Sequence, residues 1–337
     1  MNDQPIPHLP STEAAPSPDY KDRSTGLVVF GILTLLLGCL AGLLVPLMLL
    51  GQRVAAQAPN APPQNHAALV PAMVIYGGLA VTLIWLGIGS IQARRWARAL
   101  LLIFSWSWLI IGVGMTAVIP FFMSKTMANL PPNAKTGQPA MPPAAITAMV
   151  VGMTIFFLVF FVLVPALWTY FYNSRQVKAT CEARDPATRW TDACPLPVLG
   201  FCLWTWFAVP ALLVMPVSSH AVMPFFGVFI SGLTGTVFCL VIAAVWGWAG
   251  WWLYRLDARG WWLILVAMVL FMVSALLTYA HHDVSEMYQL QGLPPAQIEQ
   301  MQKTGLLTGN HLSWFTALCT LPFVGYLLFI KKYLRKA

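Results

Sequence analysis

The sequence predicts an all-α integral membrane protein of about eight transmembrane helices, arranged as two parallel four-helix repeats with both termini cytoplasmic. Three observations predict it. Of 337 residues, 58% are hydrophobic and only 9% charged, against about 25% charged in soluble domains, which excludes an ordinary soluble enzyme. Eight apolar runs each reach the roughly 20 residues that a bilayer crossing needs. The lysines and arginines fall almost entirely in alternate loops, as basic loops retained in the cytoplasm do.

Residues 1–25 read as a disordered cytosolic tail, because Pro5, Pro7, Pro10, Pro16 and Pro18 punctuate it and it lacks the basic start of a cleavable signal. The first span covers residues 26–50. Within it, Leu36-Leu37-Gly38-Cys39 superficially matches a lipoprotein cleavage box, but apolar residues continue to Leu50, so Cys39 reads as a mid-helix cysteine. Gly38 and Gly42 are spaced for close helix approach. The next three spans are 67–91, 97–122 and 145–172, closing a first repeat of 26–172. A cytoplasmic linker, 173–196, follows. The second repeat, 197–330, holds spans at 197–217, 225–253, 261–281 and 310–330. Only 218–224 separates its first two spans, and a re-entrant hairpin there is the alternative to two full crossings. Residues 331–337 form a short basic cytosolic tail.

Orientation rests on the charge split. Lys21, Arg23, Arg94, Arg95, Arg98, Arg175, Lys178, Arg184, Arg189, Arg255, Arg259, Lys331, Lys332, Arg335 and Lys336 share one side, and only Arg53, Lys125, Lys135 and Lys303 the other. This places the chain in a bacterial-type cytoplasmic (inner) membrane with the basic side inside. The net charge of +8 is spread between apolar runs, so it signals the lipid bilayer as partner and not nucleic acid. Duplication rests on a gap-free match at an offset of 161 residues, in which Trp85, Gly89, Arg94, Ala97, Arg98, Leu102 and Ile103 recur as Trp246, Gly250, Arg255, Ala258, Arg259, Leu263 and Ile264. Arg94 is thereby expected over Arg255 and Arg98 over Arg259. These four arginines, flanked by tryptophans, read as inner-interface anchors.

Chemistry is sparser. No ionisable Asp, Glu, Lys or Arg falls in mid-span, which argues against an ion-coupled pump. Nucleotide loops, nucleophile elbows and zinc-hydrolase motifs are lacking, which points away from an enzyme. Five histidines, His66, His220, His281, His282 and His311, map to the outer side. His281, His282, Asp283 and Glu286 form a candidate metal set, and His220 with His311 a candidate haem-ligand pair. The architecture resembles that of haem A synthases, which also join two four-helix units and place haem-ligand histidines near the outer face. The resemblance is carried by His66, His220 and His311 near outer helix ends. It does not extend to a histidine at the matching end of the fourth span, to that family's glutamate-and-histidine motif or to its outer cysteine pair.

Two readings follow. The first is a non-enzymatic membrane protein for small-solute passage or scaffolding, needing no cofactor and offering the 173–196 linker to a cytosolic partner. The second is a haem- or copper-binding redox or metal-handling protein using the outer histidines. Cys181 and Cys194 fall in the linker and are expected to be free thiols, open to labelling from the cytosol.

Overall fold

The computed structural model describes residues 21–57, 69–128, 142–295, 298–299, 302 and 309–334. Long helices dominate: α1 Ser24–Ala56, α2 Val70–Ile91, α3 Arg95–Ala128, α4 Pro143–Phe157 and α5 Val164–Asn173, then α6 Arg175–Arg184, α7 Leu196–Ser219, α8 Gly232–Tyr254, α9 Ala258–His281, α10 Val284–Leu290 and α11 Gly309–Ile330. A two-stranded antiparallel hairpin, β1 Met223–Phe225 and β2 Val228–Ile230, joins α7 to α8. Among the described residues seven helical stretches are long and apolar enough to cross a membrane, α4 and α5 counting as one. The fold is therefore that of a multi-pass, all-α membrane protein. The eighth apolar run is also helical, as α11. Its surface is inverted relative to a soluble protein: Val81, Ile110, Val151, Leu167, Val237 and Val269 stand exposed along the spans, where lipid takes the place of water.

Helix pairing repeats along the chain. The α1–α2 and α7–α8 pairs make the broadest contacts, α3 packs on α4–α5, and α9 on α11, while α2 and α3 meet α7. Glycine sets how closely α1 and α2 approach. A Cβ on Gly31 would stand 2.9 Å from the Gly87 carbonyl, and one on Gly38 2.9 Å from the Ile84 backbone nitrogen. Gly42 meets only the Ala80 methyl at an ordinary distance, so the seam runs through Gly31 and Gly38 and not through the Gly38–Gly42 pair expected from spacing.

Pro165 shapes the fourth span. It has no N–H to give the Phe161 carbonyl one turn earlier, and the helix widens over Leu158–Leu163 into a π turn, closed by the Val164 N–H donating to the Val159 carbonyl. The released Phe161 carbonyl turns against Gly112 of α3, at a spot that a side chain there would occupy. Proline at this position thus creates a backbone knob, and glycine supplies the socket.

The sixth span starts later than its apolar run implies. Phe226 and Gly227 both take positive φ, 41° and 96°, the geometry of a tight two-residue hairpin turn, so residues 223–230 form strands and helix begins at Gly232. The linker too is folded: α6 and a short turn at Trp190–Asp192 pack against the ends of α1, α3 and α8.

The turns that close α2 and α8 share one backbone geometry. Ala93 and Leu256 are left-handed, with φ 54° and 60°. Arg94 N–H donates to Gly89 O at 2.9 Å and Ala93 N–H to Ser90 O at 2.9 Å, while Asp257 N–H donates to Trp252 O at 3.0 Å and Leu256 N–H to Leu253 O at 2.9 Å. Both are Schellman closures. Within these two turns Arg94 occupies the place that Asp257 does, and Gln92 the place of Arg255. The helix–helix contacts agree: Gly87 faces α1, and Gly250 faces Thr205 and Trp206 of α7.

Candidate functional site

The polar chemistry of the molecule lies at its two ends. At the basic end, α6 lies across the start of α1. Thr180 Oγ1 accepts the Arg23 N–H at 3.1 Å, Arg23 Nε donates to Gln176 Oε1 at 2.7 Å, and Arg184 pairs with Asp22 at 3.2 Å. Asp22 also accepts the N–H and hydroxyl of Ser24; these bonds hold its carboxyl below the ordinary range, with Arg184 adding to the effect. Beyond α6, the side chain of Asp185 is 3% exposed and collects Arg189 at 2.8 Å, Arg94 at 3.9 Å and the Arg95 N–H at 3.4 Å. The hydrogen bond from Arg189 is the chief reason its carboxyl titrates below the usual range, and burial opposes it. Arg95 reaches Glu182 at 3.5 Å and Asp192 at 3.6 Å. The Tyr254 hydroxyl of α8 donates to the Trp190 carbonyl at 2.8 Å. The linker is thereby fastened to helices on both sides of it.

The four arginines read as interface anchors stand in different surroundings. Arg94 leans on a buried carboxylate. Arg98 buries its Nε without a hydrogen-bond partner, in the field of Glu182 and Asp192. Arg255 lies over the Trp251 ring, 4.9 Å from its centroid, and Arg259 is exposed at the start of α9. Cys181 and Cys194 are free thiols, but both are buried, and burial pushes each up to about 11. Their expected openness to labelling is thus overturned by packing.

At the opposite end, the hairpin folds back along the helices. Ser274 Oγ of α9 accepts the Phe226 N–H at 2.9 Å and donates to the Pro224 carbonyl at 3.0 Å, and Thr278 Oγ1 accepts the Gly227 N–H at 3.0 Å. Ala221, Val222 and Met223 are buried, with Met223 sulfur 3.3 Å from the Cys239 thiol and the Ala221 carbonyl seated over Gly235. Since Ser274 precedes the end of α9 by seven residues, the hairpin tip lies about 10 Å inside that end at 1.5 Å per residue. Non-helical backbone at such depth requires internal partners for its N–H and C=O groups, which Ser274 and Thr278 supply. Neither the Phe-Gly turn, which falls inside the apolar run 225–253, nor its two docking hydroxyls was legible in the sequence.

Among the described residues, the outer histidines His220, His281 and His282 have separate partners. His220 closes α7 in the left-handed conformation with φ 52°, and its Nε2 lies 3.4 Å from where a Gly292 Cβ would stand. His281 Nδ1 turns back to the Leu277 carbonyl at 2.8 Å. His282 Nδ1 meets Glu286 at 2.7 Å, one turn apart, and its ring packs on Phe229. Asp283 starts α10 without a side-chain capping bond. Of the candidate metal set, then, only His282 and Glu286 are in contact, and among the described residues no three His, Cys, Asp or Glu side chains gather as a metal site. His66 and the side chain of His311 lie outside the described residues, so the haem-ligand pair is represented by His220 alone. Comparison of the chain with protein-family models, with characterised proteins and with solved structures finds no match in any of the three.

Proposed function

We propose that this multi-pass membrane protein is non-enzymatic and acts as a membrane scaffold, presenting the folded 173–196 linker to a cytosolic partner from a bacterial-type inner membrane. The carrying observation is where the neutral polar groups of the spans spend their hydrogen bonds. Thr34, Ser105, Thr116, Thr154 and Thr320 donate to carbonyls of their own helices at 2.7 or 2.8 Å. Ser90 bonds Tyr172, Trp168 bonds Thr34, and Trp204 bonds Ser107 between helices. Hydroxyls turned onto backbone and onto neighbouring helices are structural glue, whereas a solute path would aim them at water. Gathering of the basic residues at the linker end supports a cytoplasmic linker, and the matching closures after Ser90 and Leu253 support two parallel four-helix units.

The test is cysteine substitution at Ser105, Ser107 and Thr116 of α3, followed by a membrane-impermeant thiol reagent applied from each side. A scaffold leaves all three silent. Labelling at successive positions would reveal water between the helices and replace scaffolding by passage. Reporter fusions after Lys178 and after Gln291 should lie in opposite compartments.

A further inference from the structure

We infer that the basic end of α8, α9 and α11 is a binding site for the phosphate of an anionic phospholipid headgroup, held by Arg255, Arg259, Lys331 and Lys332. The inference rests on the chain's being membrane-spanning and is independent of scaffolding. The two sides of the basic end dispose of their cations differently. Beside the linker, Arg94, Arg95, Lys178, Arg184 and Arg189 are each ion-paired with Asp22, Glu182, Asp185 or Asp192. At the ends of α8, α9 and α11, Asp257 is occupied in capping α9 through the Arg259 N–H at 2.8 Å, and among the described residues no carboxylate comes within ion-pair distance of Arg255, Arg259, Lys331 or Lys332. All four are exposed.

Aromatic rings position three of these cations. Arg255 lies on Trp251; Lys331 Nζ sits 4.8 Å from the centroid of Trp261 and 5.7 Å from that of Trp262; Lys332 Nζ sits 4.0 Å from Phe329 and 5.0 Å from Tyr333. Trp261 is itself fixed, buried with its indole N–H donating to the Leu327 carbonyl at 2.7 Å. Trp251, Trp262 and Phe329 are exposed at the ends of apolar spans, the level at which aromatic belts meet headgroups. A ring face holds a cation by its quadrupole without neutralising it, so the N–H donors stay available to a phosphate. Apolar rings beside uncompensated cations fit a ligand carrying both an acyl chain and a phosphate diester, which selects a membrane lipid over a free anion.

The test uses the full chain, delipidated in a non-ionic detergent and titrated with phosphatidylglycerol or phosphatidylcholine, bound lipid being counted by native mass spectrometry. Wild type should retain phosphatidylglycerol preferentially. K331Q/K332Q and R255Q/R259Q should each weaken that retention, by about fivefold per cation at the strength usual for a basic group near an anionic surface, and K331R/K332R should preserve it. K21Q/R175Q removes equal charge from the same end and should have little effect. The inference is overturned if the two glutamine pairs retain lipid as wild type does, if K21Q/R175Q weakens it equally, or if millimolar inorganic phosphate displaces the lipid as effectively as phosphatidylglycerol does. An unchanged melting temperature in each variant separates loss of the site from loss of the fold.

Discussion

Arg189 grips Asp185 at two points, with Nη2 2.8 Å from Oδ1 and Nε 3.4 Å from Oδ2, while the same carboxylate accepts the first N–H of α3 from Arg95. One buried side chain thus joins the linker to the membrane bundle, and its removal measures how firmly they are coupled.

Asp185→Asn should lower stability by about 1–2 kcal/mol, since it weakens charge-assisted hydrogen bonds but leaves Arg189 and Arg94 able to return to water. The pH sign follows from the depressed carboxyl. Its stabilisation is fully present above the unfolded value of about 3.9 and is lost as pH falls through the lower folded value. Thermal melts in detergent should therefore separate wild type from the variant at pH 7 and bring them together well below pH 4. A gap that persists in acid would assign the effect to something other than this carboxylate.

Gly112→Leu should be among the most damaging substitutions in the first half. It drives a side chain into the Phe161 carbonyl at the π turn, and overpacking of this kind costs about 1–3 kcal/mol. Pro165→Ala restores an N–H for that carbonyl and should partly rescue the double variant. The readout is the melting temperature of both single variants and of the double.

Ser274→Ala takes from the hairpin an acceptor and a donor together, and Thr278→Ala takes a second acceptor. Each should cost about 1–3 kcal/mol locally, because a buried N–H is left unmatched. Amide hydrogen exchange over residues 223–230 should speed up in both variants, with exchange in α1 and α2 unchanged.

Cys181 and Cys194 should alkylate slowly at pH 8 in the folded protein. Thiols raised to about 11 hold little of the reactive thiolate at that pH, and both are enclosed. Denaturant should bring them to the rate of free cysteine without reductant. A requirement for reductant would mean that they are oxidised.

His282→Gln should remove the Glu286 contact and leave the hairpin docked, since Ser274 and Thr278 hold it independently. Metal and haem analysis of wild type and of a variant lacking His220, His281, His282 and His311 tests the redox alternative: bound metal or haem in wild type that vanishes in the variant would favour it over scaffolding.

The sequence by itself determined that this chain lives in a membrane and approximately where each helix runs, because length and apolarity are properties of a segment and require no knowledge of its neighbours. The spans ending at Ile91 and His281 were legible to the residue for this reason, and so was the concentration of cations in alternate loops. Turn chemistry was not legible: the apolar run from 225 continues through Phe226-Gly227, where the backbone turns a hairpin and helix begins only at Gly232. Tertiary structure alone decided everything that depends on which groups meet. Spacing put Arg94 opposite Arg255, whereas the turns themselves place the left-handed residue at Ala93 and Leu256, since a turn's position is fixed by backbone hydrogen bonds and not by side-chain identity. Cys181 and Cys194 lie in a polar linker and are nevertheless enclosed, because α6 packs Val177 and Cys181 onto one core and Cys194 joins another with Val198 and Leu253. His281 and His282 are adjacent in sequence and part in space, one turning to its own backbone and the other taking a glutamate, while His220 closes a different helix. Proximity along the chain carries no information about direction in space, and direction is what a ligand site requires.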